Sequence, residues 1–279
     1  MNIERKRQCK IFRFVEPYPG ESCYSILARC RVYSGYSTRR FVQELTGTIL
    51  RLDRFLFEPL PYAPSDAALF NMERLVVCHS CLPYSAPLLS GLDIALVQKM
   101  RNENELTAGE RKRLTRHVGF THWNKKYLCY CPLCVDQDRK QYGETYWHLV
   151  AQLPGVWVCP VHGTKIEESS ISVGSLRYDL IPAEFALHKI AVSCEISDDL
   201  LKLVATESQW LLINGFQLSA ETPSCFKKDT HLSKESELLL QNSFFGNVKY
   251  SETSILSLIL YLAEQGKRLS LAQNSKLIL

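Results

Sequence analysis

Long apolar runs are missing from this chain. The longest charge-free one near the C-terminus, TSILSLILYLA at 253–263, is too short to span a bilayer and reads as a buried helix. The N-terminus, MNIERKRQCK, is charged and has no apolar core of a secretory signal, so a disulfide framework has little support. G-x-S-x-G, P-loop, G-x-G-x-x-G and H-E-x-x-H patterns are all absent, which removes the commonest hydrolase, nucleotide-binding and metalloprotease signatures. There is no internal repeat of usable period and no low-complexity tract. Charge of one sign is also scarce: the net charge of +4 permits a nucleic-acid partner without arguing for one.

What is abundant is cysteine. Eleven of the 279 residues are Cys, an odd number, in a chain expected to sit in a reducing cytoplasm with no membrane partner. Metal ligation and core packing are then the leading uses. Cys131-Pro-Leu-Cys134 and Cys159-Pro-Val-His162 have the spacing C-x2-C-x24-C-x2-H. Two ligands separated by two residues can meet one ion from a single tight turn, and two such turns supply a full tetrahedron. Thiolate and imidazole suit Zn²⁺ far better than Mg²⁺ or Ca²⁺. A site with four protein ligands leaves no position for a reacting water, so Zn²⁺ here is expected to be structural. Cys129 stands two residues before Cys131, and the x2 spacing favours Cys131. Cys78-His79-Ser80-Cys81 is a further C-x2-C without a clean partner pair; helix-end cysteines in an apolar patch explain it better.

The fold class expected is mainly α, with a small zinc-binding module of α+β knuckle or ribbon type and a helix-turn-helix-like N-terminal region. Three parts follow: residues 1–126, helical; 127–168, the CCCH module; and 169–279, helical again. After Pro19-Gly20, three-to-four spacing of Cys23, Ile26, Leu27 and Cys30 predicts a helix with one apolar face, ended by Gly35. Ser37 or Thr38 caps a second helix with Phe41, Val42 and Leu45 on its face, stopped by Gly47. PSDAALFNMERLVV, GLDIALVQKMR, PAEFALHKIAVSC, SDDLLKLVATESQWLLIN and SETSILSLILYLAEQGKRL read as helices, and IEESSISVGSLRYD as a loop or weak strands. Between the two Cys-Pro turns, GETYWHLVAQL is expected to be helical, with VWV a short strand into the second turn.

Nucleic-acid contacts are sought where the charge collects. Residues 99–126 hold eight Lys or Arg against three Glu. Arg111, Lys112, Arg113 and Arg116, with Lys125 and Lys126, are candidate phosphate contacts, and Arg39 and Arg40 open the second N-terminal helix. A solvated helix face explains the 111–116 run equally well, and a plain packing hairpin explains the N-terminal pair. Adjacent acids such as Glu167-Glu168 and Asp198-Asp199 read as solvated, so catalysis is not expected. A stand-alone zinc-containing transcription regulator acting through the N-terminal pair is the alternative function class.

With both turns placed, CPLCVDQDRKQYGETYWHLVAQLPGVWVCPVHG resembles the TniQ/TnsD family of transposon target selectors. The matching positions are Cys131, Cys134, Tyr142, Gly143, Glu144, Trp147, Leu153, Pro154, Cys159, His162 and Gly163. PYPGESCYSILARCRVYSG resembles the family opening, with Cys30 where a small residue is more usual; the likeness covers roughly residues 12–165. It implies a non-catalytic, cytoplasmic and nucleoid-associated role in DNA transposition: binding double-stranded target DNA, or a target-bound complex such as an RNA-guided one, and recruiting an AAA+ ATPase of the TnsC type. Longer members carry further C-terminal DNA-binding helices, so the resemblance implies a shortened C-terminal part here.

Overall fold

A computed structural model describes residues 14–46, 52, 55, 72–86, 89, 91–102, 106–107, 109–110, 113–114, 125–153, 155–187 and 198–221. Its elements are mostly helical: α1 (Cys23–Ser34), α2 (Thr38–Thr46), α3 (Met72–Cys78), α4 (Leu82–Ser85), α5 (Gly91–Arg101), α6 (Pro132–Tyr142), α7 (Leu149–Gln152) and α8 (Asp198–Glu221). Two short strands, β1 (Tyr127–Tyr130) and β2 (Glu167–Ser172), pair antiparallel and pin residue 130 against 167. β2 runs across the boundary expected at 168. No helix among the described residues is long and apolar enough to cross a membrane.

Local chemistry sets the first two helices. Ser22 is extended and its Oγ accepts from Ser25 N at 3.2 Å, satisfying one of the orphan donors of a helix start. Gly35 ends α1 in the left-handed region, φ 68°, where a side chain would be strained. Ser37 Oγ accepts from Arg40 N and so caps α2, and Phe41, Val42 and Leu45 are buried as their spacing predicts. α1 departs from expectation in degree. Every residue from Cys23 to Cys30 is buried, not one face. The helix is the central post of the fold, so its polar positions Ser25 and Arg29 must find partners inside the protein.

Those partners are Glu21 just before the helix and, from the loop after α6, Glu144 and Trp147 N, while residues 179–181 bond Tyr24 of α1 and the Trp147 side chain. Tyr24 Oη donates to the Asp179 carbonyl and accepts from Ile181 N; Trp147 Nε1 donates to the Ile181 carbonyl. PAEFALHKIAVSC does not begin as an α-helix: residues 179–181, just before it, spend backbone groups on α1 and Trp147, and a 3₁₀ turn at Ala183–Phe185 follows. Residues 188–194 of that expectation, Gly47, the start of PSDAALFNMERLVV, Pro154 and the C-terminal helix SETSILSLILYLAEQGKRL lie outside the described residues.

α8 extends the helix expected at 197–214 to Glu221. It packs along α4 and also reaches the second Cys turn. Gly163 faces the Lys202 side chain, and Gly215 lies so close to α4 that a β-carbon there would sit 1.8 Å from the Pro83 carbonyl oxygen.

Candidate metal centre

Each Cys-Pro turn is shaped by its own backbone. Cys131 is the extended N-cap of α6, Pro132 occupies the first helical position, and Val135 N returns to the Cys131 carbonyl at 3.1 Å. Cys134 thus lies in the first turn of α6, on the side of Cys131. In the second turn Cys159 N donates to the Thr164 carbonyl and Gly163 N to the Cys159 carbonyl, both at 2.8 Å. Gly163 has φ 66°, so glycine is required to close it. The bridge Val158↔Lys165 and the bond from Ile166 N to the Trp157 carbonyl complete a hairpin knuckle. The β1–β2 ladder carries one knuckle to the other.

The four predicted ligands meet. Their donor atoms all lie within 4.8 Å of one another. Cys134 Sγ is 3.7 Å from Cys159 Sγ, and His162 Nδ1 is 3.6, 3.3 and 3.5 Å from the sulfurs of Cys131, Cys134 and Cys159. An ideal tetrahedron with Zn–S near 2.3 Å and Zn–N near 2.05 Å has edges of about 3.8 Å (S···S) and about 3.6 Å (S···N). The edges seen here match to a few tenths of an ångström, so the donor set fits a tetrahedral ion both in chemistry and in size. Gln137 Oε1 sits 3.2 Å from His162 Nε2, accepting the ring N–H and leaving Nδ1 as the donor toward the centre. Thr164 Oγ1 lies 3.2 Å from Cys131 Sγ. Hydrogen bonds from Cys134 and Cys159 hold the Cys131 thiol well below the ordinary range, and the contacts of Cys134 with Cys131 and Cys159 push Cys134 up.

Cys129 stays out of the cluster. It is buried, and its backbone N–H and carbonyl are both paired with the Gln152 amide, which acts as a strand partner. Cys78 is exposed and Cys81 buried, with His79 Nδ1 2.8 Å from the Glu21 carbonyl. Burial pushes His79 down to about 4, so it is a neutral core histidine at pH 7.

The helix between the turns is not where the sequence reading put it. α6 occupies 132–142, starting at Pro132 and ended by Gly143 with φ 82°. Of GETYWHLVAQL only Leu149–Gln152 is helical. Residues 143–148 are irregular because they run beside the entry to α1: Glu21 bridges His148, Ser22 N donates to the Trp147 carbonyl, and Leu149 N to the Gly20 carbonyl.

That junction contains a buried charge network which sequence reading missed. Arg29, 4% exposed, donates from Nη1 to Glu21 Oε2 at 2.8 Å and from Nε to Glu144 Oε1 at 2.9 Å. Its guanidinium lies 3.6 Å from the centre of the Tyr18 ring. Ser25 Oγ donates to Glu21 Oε1 and accepts from Trp147 N; Tyr18 and Tyr33 hydroxyls both donate to Glu144. The signal was present as the E-S-x-x-S-x-x-x-R and Y-G-E residues, but nothing in the sequence alone says that they touch.

The predicted phosphate contacts separate. Arg39, Arg40 and Lys126 are exposed. Arg113 is exposed and ion-paired with Asp93 at 2.5 Å. Arg111, Lys112 and Arg116 lie outside the described residues. Lys125 corrects the expectation: its ammonium is buried, donating to the carbonyls of Ala151 and Val156 and lying 4.7 Å from the centre of the Trp157 ring. Burial pushes its pKa down, and no phosphate reaches it in this fold.

Comparison with known proteins adds two findings. The TniQ family model matches residues 12–166. The chain is 26% identical over 164 residues to the transposon Tn7 transposition protein TnsD of Escherichia coli, covering 55% of this chain and 31% of that protein. The match thus spans about a third of the relative's length.

Proposed function

The chain belongs to the TniQ family, and from that premise we propose that it is a non-catalytic target-selection adaptor in DNA transposition. It holds target DNA, or a complex already seated on the target, an RNA-guided one included, and recruits an AAA+ ATPase of the TnsC type that admits the transposase. The observation that carries the reading is the closed three-sulfur, one-nitrogen cluster inside the matched segment, bound to the N-terminal helices through Glu21, Arg29 and Glu144. Such an assembly makes a stiff platform and offers no open coordination position.

Zn²⁺ is the ion proposed. Cys131, Cys134, Cys159 and His162 would hold it, with Gln137 orienting His162. When bound, the ion neutralises thiolate charge and ties the two knuckles together; closing a site of this kind contributes ~10–16 kcal/mol of apparent binding free energy near neutral pH. Residues 1–126 then offer the partner-facing helices, 127–168 the metal module, and 169–279 the helical support. Arg39 and Arg40, at the start of α2, are the phosphate contacts that the described surface favours.

The test is capture of the ATPase by the purified full chain in the presence of ATP and target DNA, with metal content measured on the same preparation. We expect about one zinc per chain, ATPase retained on the chain, and loss of both in Cys131→Ser. An ATPase ignored by a folded, metal-loaded chain overturns the adaptor reading.

A further inference from the structure

The largest aromatic exposure among the described residues is gathered at one border. Tyr33, Tyr178 and Phe185 are 64%, 74% and 66% exposed. They come from the end of α1 and from residues 177–185, two segments held together by named bonds. Arg31 Nη2 donates to the Leu180 carbonyl at 2.9 Å and Thr38 Oγ1 to Asp179. Tyr33 Oη donates to Glu144 while Thr145 N donates to Glu184, the neighbour of Phe185.

The charges on this border are uneven. Its acids are engaged: Glu144 with Arg29, Glu184 with Arg139, and Asp179 with Thr38 and Leu180 N. Arg39, Arg40 and Arg177 are exposed, and among the described residues no carboxylate pairs with them. Two of these guanidiniums already lie near tyrosine rings, Arg40 at 4.3 Å from the centre of Tyr36 and Arg177 at 5.7 Å from that of Tyr178. Exposed rings beside unpaired guanidiniums suit a ligand that presents both flat apolar faces and regularly spaced negative charge. Duplex DNA hides its base faces. An unpaired strand offers them, and each base has a π-face to stack.

We propose that the border of Tyr33, Tyr178, Phe185, Arg39, Arg40 and Arg177 is a stacking platform for an unpaired nucleic-acid strand. Bases lie on the rings, and the guanidiniums take the phosphates. The inference deepens the targeting reading and rests on it for its biological role: the strand is a segment of guide RNA or a DNA strand displaced at the target, two sources with one shared chemistry.

The experiment is fluorescence anisotropy of the full chain with labelled oligonucleotides of about 20 nucleotides, a length that exceeds one such site. Single-stranded DNA, RNA of the same sequence and the duplex are compared at one salt concentration. Unpaired strands are expected to bind more tightly than duplex. Tyr178→Ala, at a site too exposed to endanger folding, should weaken strand binding roughly 5- to 100-fold, and Tyr178→Trp should retain it. Tighter RNA binding supports the guide as source, and tighter DNA binding the displaced strand. Strand affinity left within about twofold by both Tyr178→Ala and Arg177→Ala, less than the weakest stacking loss, overturns the platform, as does a preference for duplex. ATPase capture is read on the same preparations. Strand binding without capture overturns the adaptor reading alone; capture without strand binding overturns the platform alone.

Discussion

Replacing Arg29 by methionine tests how the N-terminal helix and the metal module are joined. Arg29→Met keeps most of the side-chain volume and removes the one cation, among the described residues, between Glu21, fully buried, and Glu144. A buried pair broken on one side costs ~3–5 kcal/mol, because the remaining charge stays desolvated. Glu21 keeps its bonds from Tyr18 N and Ser25 Oγ, which favours the lower part of that range. At ~2–4 °C per kcal/mol for a chain of this size, the melting temperature should fall by roughly 6–20 °C. The pH dependence has a definite sign. Burial raises the Glu21 carboxyl to about 7, against the pull of Arg29. Its folded pKa lies above the unfolded one, so its contribution is fully present below about pH 4.5 and lost as pH rises through about 7. Without Arg29 the carboxyl rises further, and the gap between wild type and variant should be wider at about pH 8 than at about pH 5. Adding Glu21→Gln to the variant removes the stranded charge and should recover part of the loss at the higher pH. Circular-dichroism melts at both pH values decide it. A variant within ~1 kcal/mol of wild type at the higher pH, or a gap that is the same at both, refutes the argument.

Two other outcomes follow from the site. His162→Ala should lower metal affinity by several orders of magnitude, and chelator should then lower the wild-type melting temperature while leaving the variant's unchanged; metal analysis and melts with and without chelator check this. Lys125→Met should cost ~1–3 kcal/mol by leaving the carbonyls of Ala151 and Val156 unpaired, yet leave the salt dependence of DNA binding as it was, because the ammonium never faces solvent.

Legibility in the sequence followed the range of the interactions involved. Both metal knuckles, the Gly35 stop of α1, the Ser37 cap of α2 and the apolar face of α2 are local patterns, and each stands where its spacing places it. The helix between the knuckles was misplaced although its signals were local too: Pro132 at the first helical position and Gly143 just past the end bracket α6. The apolar rhythm of YWHLVAQL drew attention downstream, yet Trp147 is buried by α1 and the 178–187 segment, not by helical neighbours. Distance in sequence explains the other misses. Arg29 meets Glu144 across 115 positions, and Lys125 finds its carbonyls 26 and 31 residues ahead. A basic residue at the end of a charged run looks like a surface residue until the chain folds over it.

The contact at Gly215 has a consequence for how this molecule can vary. With 1.8 Å between an imagined β-carbon and the Pro83 oxygen, even alanine forces α8 to lift from its bed. Because the same rod reaches Gly163 through Lys202, a lift at one end levers the other end over the metal knuckle. One hydrogen atom in place of a methyl group therefore sets the pitch of a beam that rests at both ends on the TniQ segment while lying outside it.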